Sequence, residues 1–300
     1  MLWTPQCGTM IELKQIIIFG LISGGIYALL AVGFSLIFGV ARIINLSHTA
    51  FYMLAGYLIY IFATTLGLNL YAAIVLSILV ASLIGVLGYR FLIDPIRRHE
   101  TAILIVTLAL AIIVQEALSQ GFGDDRLTVP RMIDGYVQIF GIKVFNQRIL
   151  ALGVAILMLA GTWLLLMRTK LGTAIRATAQ DREVANLMGM NVGRMETIAM
   201  GASIALAAIA GALVAPTFSL VPHMWMSPLV MVLAVVVLGG LGSIKGSLLG
   251  AFILGFTESA VVFLAPSGSF LKEAAALTIM LIVILVRPEG LFGVSFEEER

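Results

Sequence analysis

Residues 15–40 read QIIIFGLISGGIYALLAVGFSLIFGV, with no Asp, Glu, Lys or Arg between Lys14 and Arg42. A helix rises about 1.5 Å per residue, so a run of this length covers the hydrocarbon thickness of a bilayer. It is too long for the apolar region of a cleaved signal peptide, and residues 1–14 before it lack a basic leader. The run reads as a retained membrane span behind a polar N-terminal stub.

The pattern repeats. Apolar runs follow at Ala50–Leu66, Leu70–Tyr89, Thr101–Leu118, Ile149–Met167 and Thr197–Leu220. Leu229–Leu264 is too long for one crossing and is broken by Gly239-Gly240-Leu241-Gly242-Ser243-Ile244-Lys245-Gly246. A last run, Phe270–Val286, ends at Arg287-Pro288. The expected fold is an all-α, polytopic integral membrane protein, one transmembrane domain over residues 1–300. It has about eight transmembrane helices, nine if Leu229–Leu238 crosses rather than re-enters.

Composition agrees. Apolar residues make up 61% of the chain and charged residues 11%, where a soluble domain carries about 25%. There is too little charge for a hydrated shell, so lipid is the solvent for most of the surface. A net charge of +2 gives no reason to expect nucleic acid, and Cys7 alone builds neither a disulfide framework nor a thiolate metal site. His48, His99 and His223 lie far apart, without ligand spacing, so no metal is expected.

Basic residues set the orientation. Arg90, Arg97 and Arg98 share one loop, and Arg168, Lys170, Arg176, Arg182 and Arg194 share another, two spans further on. Both loops are expected in the cytoplasm. Residues 120–148, with the acidic pair Asp124 and Asp125, then form an extracytoplasmic loop. Within it, Tyr136–Val144 alternates like a short hairpin turning at Phe140-Gly141.

The phosphate-binding pattern G-x-x-x-x-G-K-[ST] is absent, and Lys245 has the wrong glycine spacing for it. The chain is therefore expected to be no enzyme and to hold no cofactor. Uphill transport would draw on an ion gradient or on a partner that hydrolyses ATP.

Residues 168–196 are the most informative soluble segment. Thr173–Met188 reads as an amphipathic helix, stopped by Gly189 where a left-handed cap is needed. Val184, Leu187 and Met188 share one face, and Arg176, Asp181, Arg182 and Glu183 supply the polar remainder. A helix with an apolar stripe suits a partner's groove or the membrane surface.

Glu183-Val184-Ala185-Asn186-Leu187-Met188-Gly189 resembles the EAA---G signature of ABC-importer permeases, with Val184 in place of an alanine and no following leucine-proline pair. Gly25-Ile26-Tyr27-Ala28-Leu29-Leu30-Ala31-Val32-Gly33, Ile37-Phe38-Gly39-Val40 and Ile44-Asn45-Leu46-Ser47-His48 resemble the opening of the branched-chain amino acid ABC permeases. Arg176-Ala177-Thr178-Ala179-Gln180-Asp181, Leu187-Met188-Gly189-Met190-Asn191-Val192, Gly239-Gly240-Leu241-Gly242-Ser243 and Arg287-Pro288-Glu289-Gly290-Leu291-Phe292-Gly293 extend the likeness. It covers nearly the whole chain beyond the stub and is strongest toward the first of that system's two permeases.

The resemblance implies a heteromeric importer in a bacterial-type inner membrane. Its partners would be a second homologous permease, two ABC ATPase subunits that bind the ATP, and an extracytoplasmic substrate-binding protein. Residues 168–196 become the cytoplasmic coupling loop, with Arg176, Asp181, Glu183, Val184, Ala185, Leu187, Met188 and Gly189 at the ATPase.

Asn45, Ser47, His48 and Thr49 are a polar cluster between apolar runs, and Gly239–Gly246 is a matching break in the second half. Irregular backbone at membrane depth lines a cavity or is buried in protein, and paired interruptions suggest an inverted repeat with a solute site. Surface loops with tight turns are the plainer alternative. Glu258, expected midway along the span Ser247–Leu264, is a costly intramembrane carboxylate that serves either solute or a structural bond. The expected substrate pathway is Tyr27, Asn45, Ser47, His48, Gly240, Ser243 and Glu258. Gly201, Ala205, Ala208 and Ala212 read as a close-packing helix face.

Three other functions stay open at this level. A urea or amide ABC permease shares these motifs. An ion-coupled transporter acting alone would have only Glu258 and Glu116 as intramembrane acids. A membrane scaffold would not need glycine-broken segments.

Overall fold

The first helix of the computed structural model, α1 (Pro5–Ala41), begins inside the expected stub and runs unbroken through the first span. Pro5 opens it, where a proline's missing N–H costs nothing, and no breaker separates residues 6–14 from the apolar run. Residues 5–14 are thus the first turns of a long helix rather than a separate segment. The structure describes residues 5–292 except 98, 124, 266, 267 and 288. Arg98, Asp124, Pro288 and Gly293, named above, lie outside the described residues.

Ten more helices follow. They are α2 (His48–Tyr60), continued by a π-turn at Ile61–Thr65, and α3 (Leu70–Gly88), continued through Tyr89–Ile93 and a 3₁₀ turn at Asp94–Ile96. Then come α4 (Glu100–Phe122) and α5 (Asn146–Arg168). The short α6 (Lys170–Gln180) and α7 (Arg182–Leu187) precede α8 (Val192–Val214). The last three are α9 (Met226–Gly239), α10 (Ile244–Leu264) and α11 (Gly268–Val286). Seven of the described helices are long and apolar enough to cross a membrane; α2 and α9 are shorter apolar helices.

Between α4 and α5, strands β1 (Tyr136–Ile139) and β2 (Ile142–Phe145) form the expected hairpin. Phe140 and Gly141 both take positive φ, 53° and 87°, as a two-residue hairpin turn demands.

Contacts sort the connections into two ends. At one end, Leu127 pairs with Leu220, Met132 N–H donates to Gln147 Oε1, and the hairpin packs on Ile22 of α1. At the other, Arg182 donates to the Ala41 carbonyl, and the N–H groups of Leu291 and Phe292 donate to the carbonyls of Leu238 and Gly239. The C-terminal strap therefore lies at the end that carries α6 and α7. With α2 and α9 joining the two ends, the chain traverses the bundle nine times, which decides between the eight and nine expected.

The centre is a seam between α1 and α10 made possible by small residues. A Cβ on Gly255 would lie 2.5 Å from the Gly24 nitrogen and 2.8 Å from the Gly20 carbonyl oxygen. Helix α8 fills the other side of α1, α2 and α3, with Ala208 packed against Ala55 and Ala81. By contrast α3, α4, α5 and α11 expose large apolar side chains such as Leu79, Ile113, Leu164 and Leu285, the surface that lipid or partner helices cover.

Candidate functional site

The polar segment 168–196 folds as two helices, not as one helix over Thr173–Met188. Asp181 takes extended backbone angles (φ −149°, ψ 114°), and its carboxylate accepts from the N–H groups of Glu183 and Val184 at 2.9 Å each. It caps α7 and breaks the run there, the role Asp performs well at a helix start. Helix α7 ends as the sequence implies. Gly189 has φ 81°, and Met190 N–H reaches back to the Ala185 carbonyl while Gly189 N–H reaches Asn186, a left-handed C-cap.

This geometry gives α7 two faces. Ala185 is buried against the bundle, whereas Leu187 and Met188 are 84% and 78% exposed and Val184 is 53% exposed. Two exposed apolar side chains on a helix of six residues are joined by a third at its C-cap, Met188. Glu183 is exposed beside them, and Arg176 projects from α6 with its Nη1 3.6 Å from Met167 Sδ.

Sequence reasoning missed the residue that holds this element. Glu196, near the start of α8, is fully buried. It ion-pairs with Arg182 of α7, lies 3.4 Å from Arg97 Nη1, and accepts from the Tyr89 hydroxyl at 3.0 Å. Arg182 also donates to the Ala41 carbonyl at 3.2 Å. One carboxylate thus ties α7 to the ends of α1, α3 and α8. The cue was available: a lone acid at the mouth of an apolar run follows the same rule that singled out Glu258.

The residues expected to line a pathway fall in three places. Asn45, Ser47 and His48 form a buried knot in the irregular link from α1 to α2. Asn45 Oδ1 accepts from Ser47 N–H at 3.1 Å and from its hydroxyl at 2.6 Å, while Leu46 N–H donates to Thr107 on α4. His48 Nε2 lies 3.0 Å from the Leu30 carbonyl, which only accepts, so Nε2 carries the proton and Nδ1 takes the Ser203 hydroxyl at 3.3 Å. This backbone is irregular and buried in protein, and its polar groups find partners on α1, α4 and α8, while the hydroxyl of Thr49 beside it is buried without a hydrogen bond.

Gly240 and Ser243 sit at the α6–α7 end. Gly240 has φ 98°, and Ser243 caps α10 by accepting from Gly246 N–H. Ser243 lines a cavity of about 370 Å³ with Arg42, Gln180 and Phe292.

Tyr27 and Glu258 lie toward the opposite end. Glu258 is six residues from the end of α10, about 9 Å along the axis, rather than midway. Its Oε1 pairs with Lys272 of α11 at 3.4 Å, its Oε2 is buried without a hydrogen bond, and the Tyr27 hydroxyl lies near the carboxylate. Two cavities of about 460 and 310 Å³ meet here, and Glu258 and Lys272 line both. No group of three or more His, Cys, Asp or Glu suited to a metal occurs among the described residues.

Comparison with known proteins adds the lineage. A family model described as branched-chain amino acid transport system / permease component matches residues 16–286. The chain is 30% identical over 296 residues to the high-affinity branched-chain amino acid transport system permease protein BraD of Pseudomonas aeruginosa, covering 93% of this chain and 95% of that protein. It is 27% identical over 293 residues to the corresponding protein LivH of Escherichia coli K12, covering 91% and 93%. A probable branched-chain amino acid transport permease protein LivH of Methanocaldococcus jannaschii is 28% identical over 300 residues, covering 95% and 94%.

Proposed function

The chain belongs to the family of branched-chain amino acid transport system permease components, and from that premise we propose that it translocates branched-chain or other neutral amino acids. It is a multi-pass inner-membrane permease subunit of an ABC importer. Its transport partners are those of an ABC system. In the full proposal these are a second homologous permease, two ATPase subunits and an extracytoplasmic binding protein. ATP binds in the ATPases, and this chain needs no cofactor of its own.

The observation that carries the proposal is α7. Exposed Val184, Leu187 and Met188 suit an apolar groove on a partner, and the Glu196 cluster holds them in place on the far side. A helix anchored this way transmits a push from its partner to α1, α3 and α8, whereas a helix merely resting on headgroups would not need a buried carboxylate beneath it. The ion-coupled alternative gains no support, since Glu116 is exposed on α4 and lines neither outer cavity.

The test is uptake of labelled leucine by cells carrying the whole importer. Changing the phosphate-loop lysine of the partner ATPase should abolish it. Uptake that survives this change and follows the proton gradient would sink the proposal, and uptake of urea in place of leucine would redirect the substrate class.

A further inference from the structure

Three charged side chains converge near the hairpin end of the bundle, in a protein that can place few charges at this depth at small cost. Glu258 and Lys272 sit where the two outer cavities meet. Arg148, from the first turn of α5, lines the larger cavity with its guanidinium 5.1 Å from the centre of the Phe19 ring. Among the described residues Arg148 has no carboxylate within 4 Å, and Glu258 is already engaged by Lys272. The cluster thus holds one cation, Arg148, outside any ion pair, and one carboxylate oxygen, Glu258 Oε2, that is buried and unbonded.

A simple staple between α10 and α11 explains the ion pair but neither remainder. A ligand with one carboxylate and one ammonium, held a short distance apart, satisfies both. Its ammonium donates to Glu258 Oε2 beside the Tyr27 hydroxyl, and its carboxylate falls between Lys272 and Arg148. Opposite charges then alternate across the junction, and charge-assisted hydrogen bonds replace the water that both ligand and site give up. Beside these charges and several hydroxyls, Ile22, Ile26, Val262 and Phe263 face the space, and this apolar part of the wall suits an aliphatic side chain.

We infer that Glu258, Lys272 and Arg148, with Tyr27, form a receptor for the zwitterionic head of an amino acid at the outer side of this subunit. The inference rests on the reading of the chain as an amino acid permease and adds where, and by which charges, the solute is held. Lys272 exchanges one carboxylate for another as the solute enters, so the pair is closed when empty and opened by the ligand's own charges.

The experiment uses the whole importer complex, with Cys7→Ser and Thr217→Cys, since Thr217 lines the larger cavity and is partly exposed. An impermeant thiol reagent labels Thr217→Cys from outside, and added leucine should slow labelling. Leucinamide, which lacks the carboxylate, and 4-methylpentanoate, which lacks the ammonium, should not. Glu258→Gln and Lys272→Met should each weaken protection by leucine about tenfold or more, the loss of one charge-assisted contact. The exchange Glu258→Lys with Lys272→Glu restores a staple between α10 and α11 but sets the wrong charges against Tyr27 and Arg148, so protection should stay lost. Leucine protection that survives the single variants, or returns with the exchange, overturns the inference. Leucine uptake by the Thr217→Cys complex without protection also sinks it while leaving the permease reading intact. A complex that takes up no neutral amino acid removes the premise of both.

Discussion

Arg182, in the short helix that carries the exposed apolar face, ion-pairs with Glu196, which is fully buried in α8. The relationship is asymmetric. Arg182 and Arg97 are each more than a third exposed, so either can turn toward water when the partner is lost, whereas the carboxylate cannot. Removing both cations strands a buried charge, the costly half of such a pair, worth about 3–5 kcal/mol. Removing the carboxylate leaves cations that water can rehydrate. The double variant Arg97→Ala with Arg182→Ala should therefore lower the thermal stability of the complex more than Glu196→Gln does. Both should reduce ATPase stimulation by loaded binding protein. Equal stability losses would show that Glu196 is not held as the geometry describes.

The Gly189 cap allows backbone and side-chain effects to be separated. Nothing lies within 4 Å of a Cβ built there, so a larger residue meets no clash, and only the positive φ of 81° resists it. For a β-branched residue that strain is about 1–2 kcal/mol. Gly189→Val should redirect the chain after α7 and abolish ATPase stimulation, while Gly189→Asn, which tolerates the left-handed region, should stay near the parental rate. Parental hydrolysis and transport by Gly189→Val would remove α7 from the coupling role.

Topology follows from which ends touch. In a Cys7→Ser background, Thr128→Cys should label from outside only, and Lys170→Cys and Glu289→Cys from inside only, as basic loops and nine traversals require. Labelling of Glu289→Cys together with Thr128→Cys would contradict the bonds from Leu291 and Phe292 to α9.

The knot around His48 changes what a bulky probe there measures. Ser47 is buried and donates to Asn45 at 2.6 Å, so Ser47→Trp overpacks a filled interior and should lower the yield of folded protein rather than block a channel. Ser243→Ala removes only a cap hydrogen bond at a partly exposed position and should cost about 1 kcal/mol. A Ser47→Trp complex of normal yield and stability that no longer transports would return Ser47 to the pathway.

Much of the fold was legible because membrane burial writes itself as long apolar runs, and the hairpin turn and the Gly239–Gly246 break fall where the sequence puts them. Span ends shift: the expected Thr197–Leu220 is a helix over Val192–Val214, since apolar residues continue past the turn that ends it. The break at Asp181 was not, since an N-cap inside an amphipathic pattern looks like one more polar position on a single helix. Nor was depth. Asn45, Ser47 and His48 are polar whether they face a channel or each other, and only their partners, Thr107, Leu30 and Ser203, distinguish the two. Glu258 was conspicuous as a charge in a span, but Lys272 and Arg148 sit near the ends of spans, where long basic side chains can reach the interface and draw no notice. Their convergence on Glu258 is a property of the packing of α1, α5, α10 and α11.

The seam between α1 and α10 supports the last prediction. Gly20 and Gly24 lie four residues apart on α1, with Ala251 and Gly255 at the same spacing on α10, the arrangement that lets two helices in lipid approach to backbone contact. A Cβ on Gly255 meets backbone atoms of Gly24 and Gly20 at 2.5–2.8 Å. Backbone cannot move aside as a side-chain tip does, so the helices must separate. Separation would loosen Phe252 and Phe256, which pack over Gly24 and Gly20, and the hydrogen bond between Ser35 and Ser247 further along the same interface. Gly255→Ala should therefore destabilise the subunit by about 1–3 kcal/mol, and Gly255→Leu should prevent its recovery in folded form. Gly153 and Gly161 of α5 have no atom within 4 Å of a built Cβ, so alanine there should be neutral or slightly stabilising through helix propensity. Thermal unfolding of the three purified alanine variants in one detergent, beside the yield of folded Gly255→Leu, measures the contrast. Gly255→Ala as stable as Gly153→Ala would mean that α1 and α10 do not touch at their backbones.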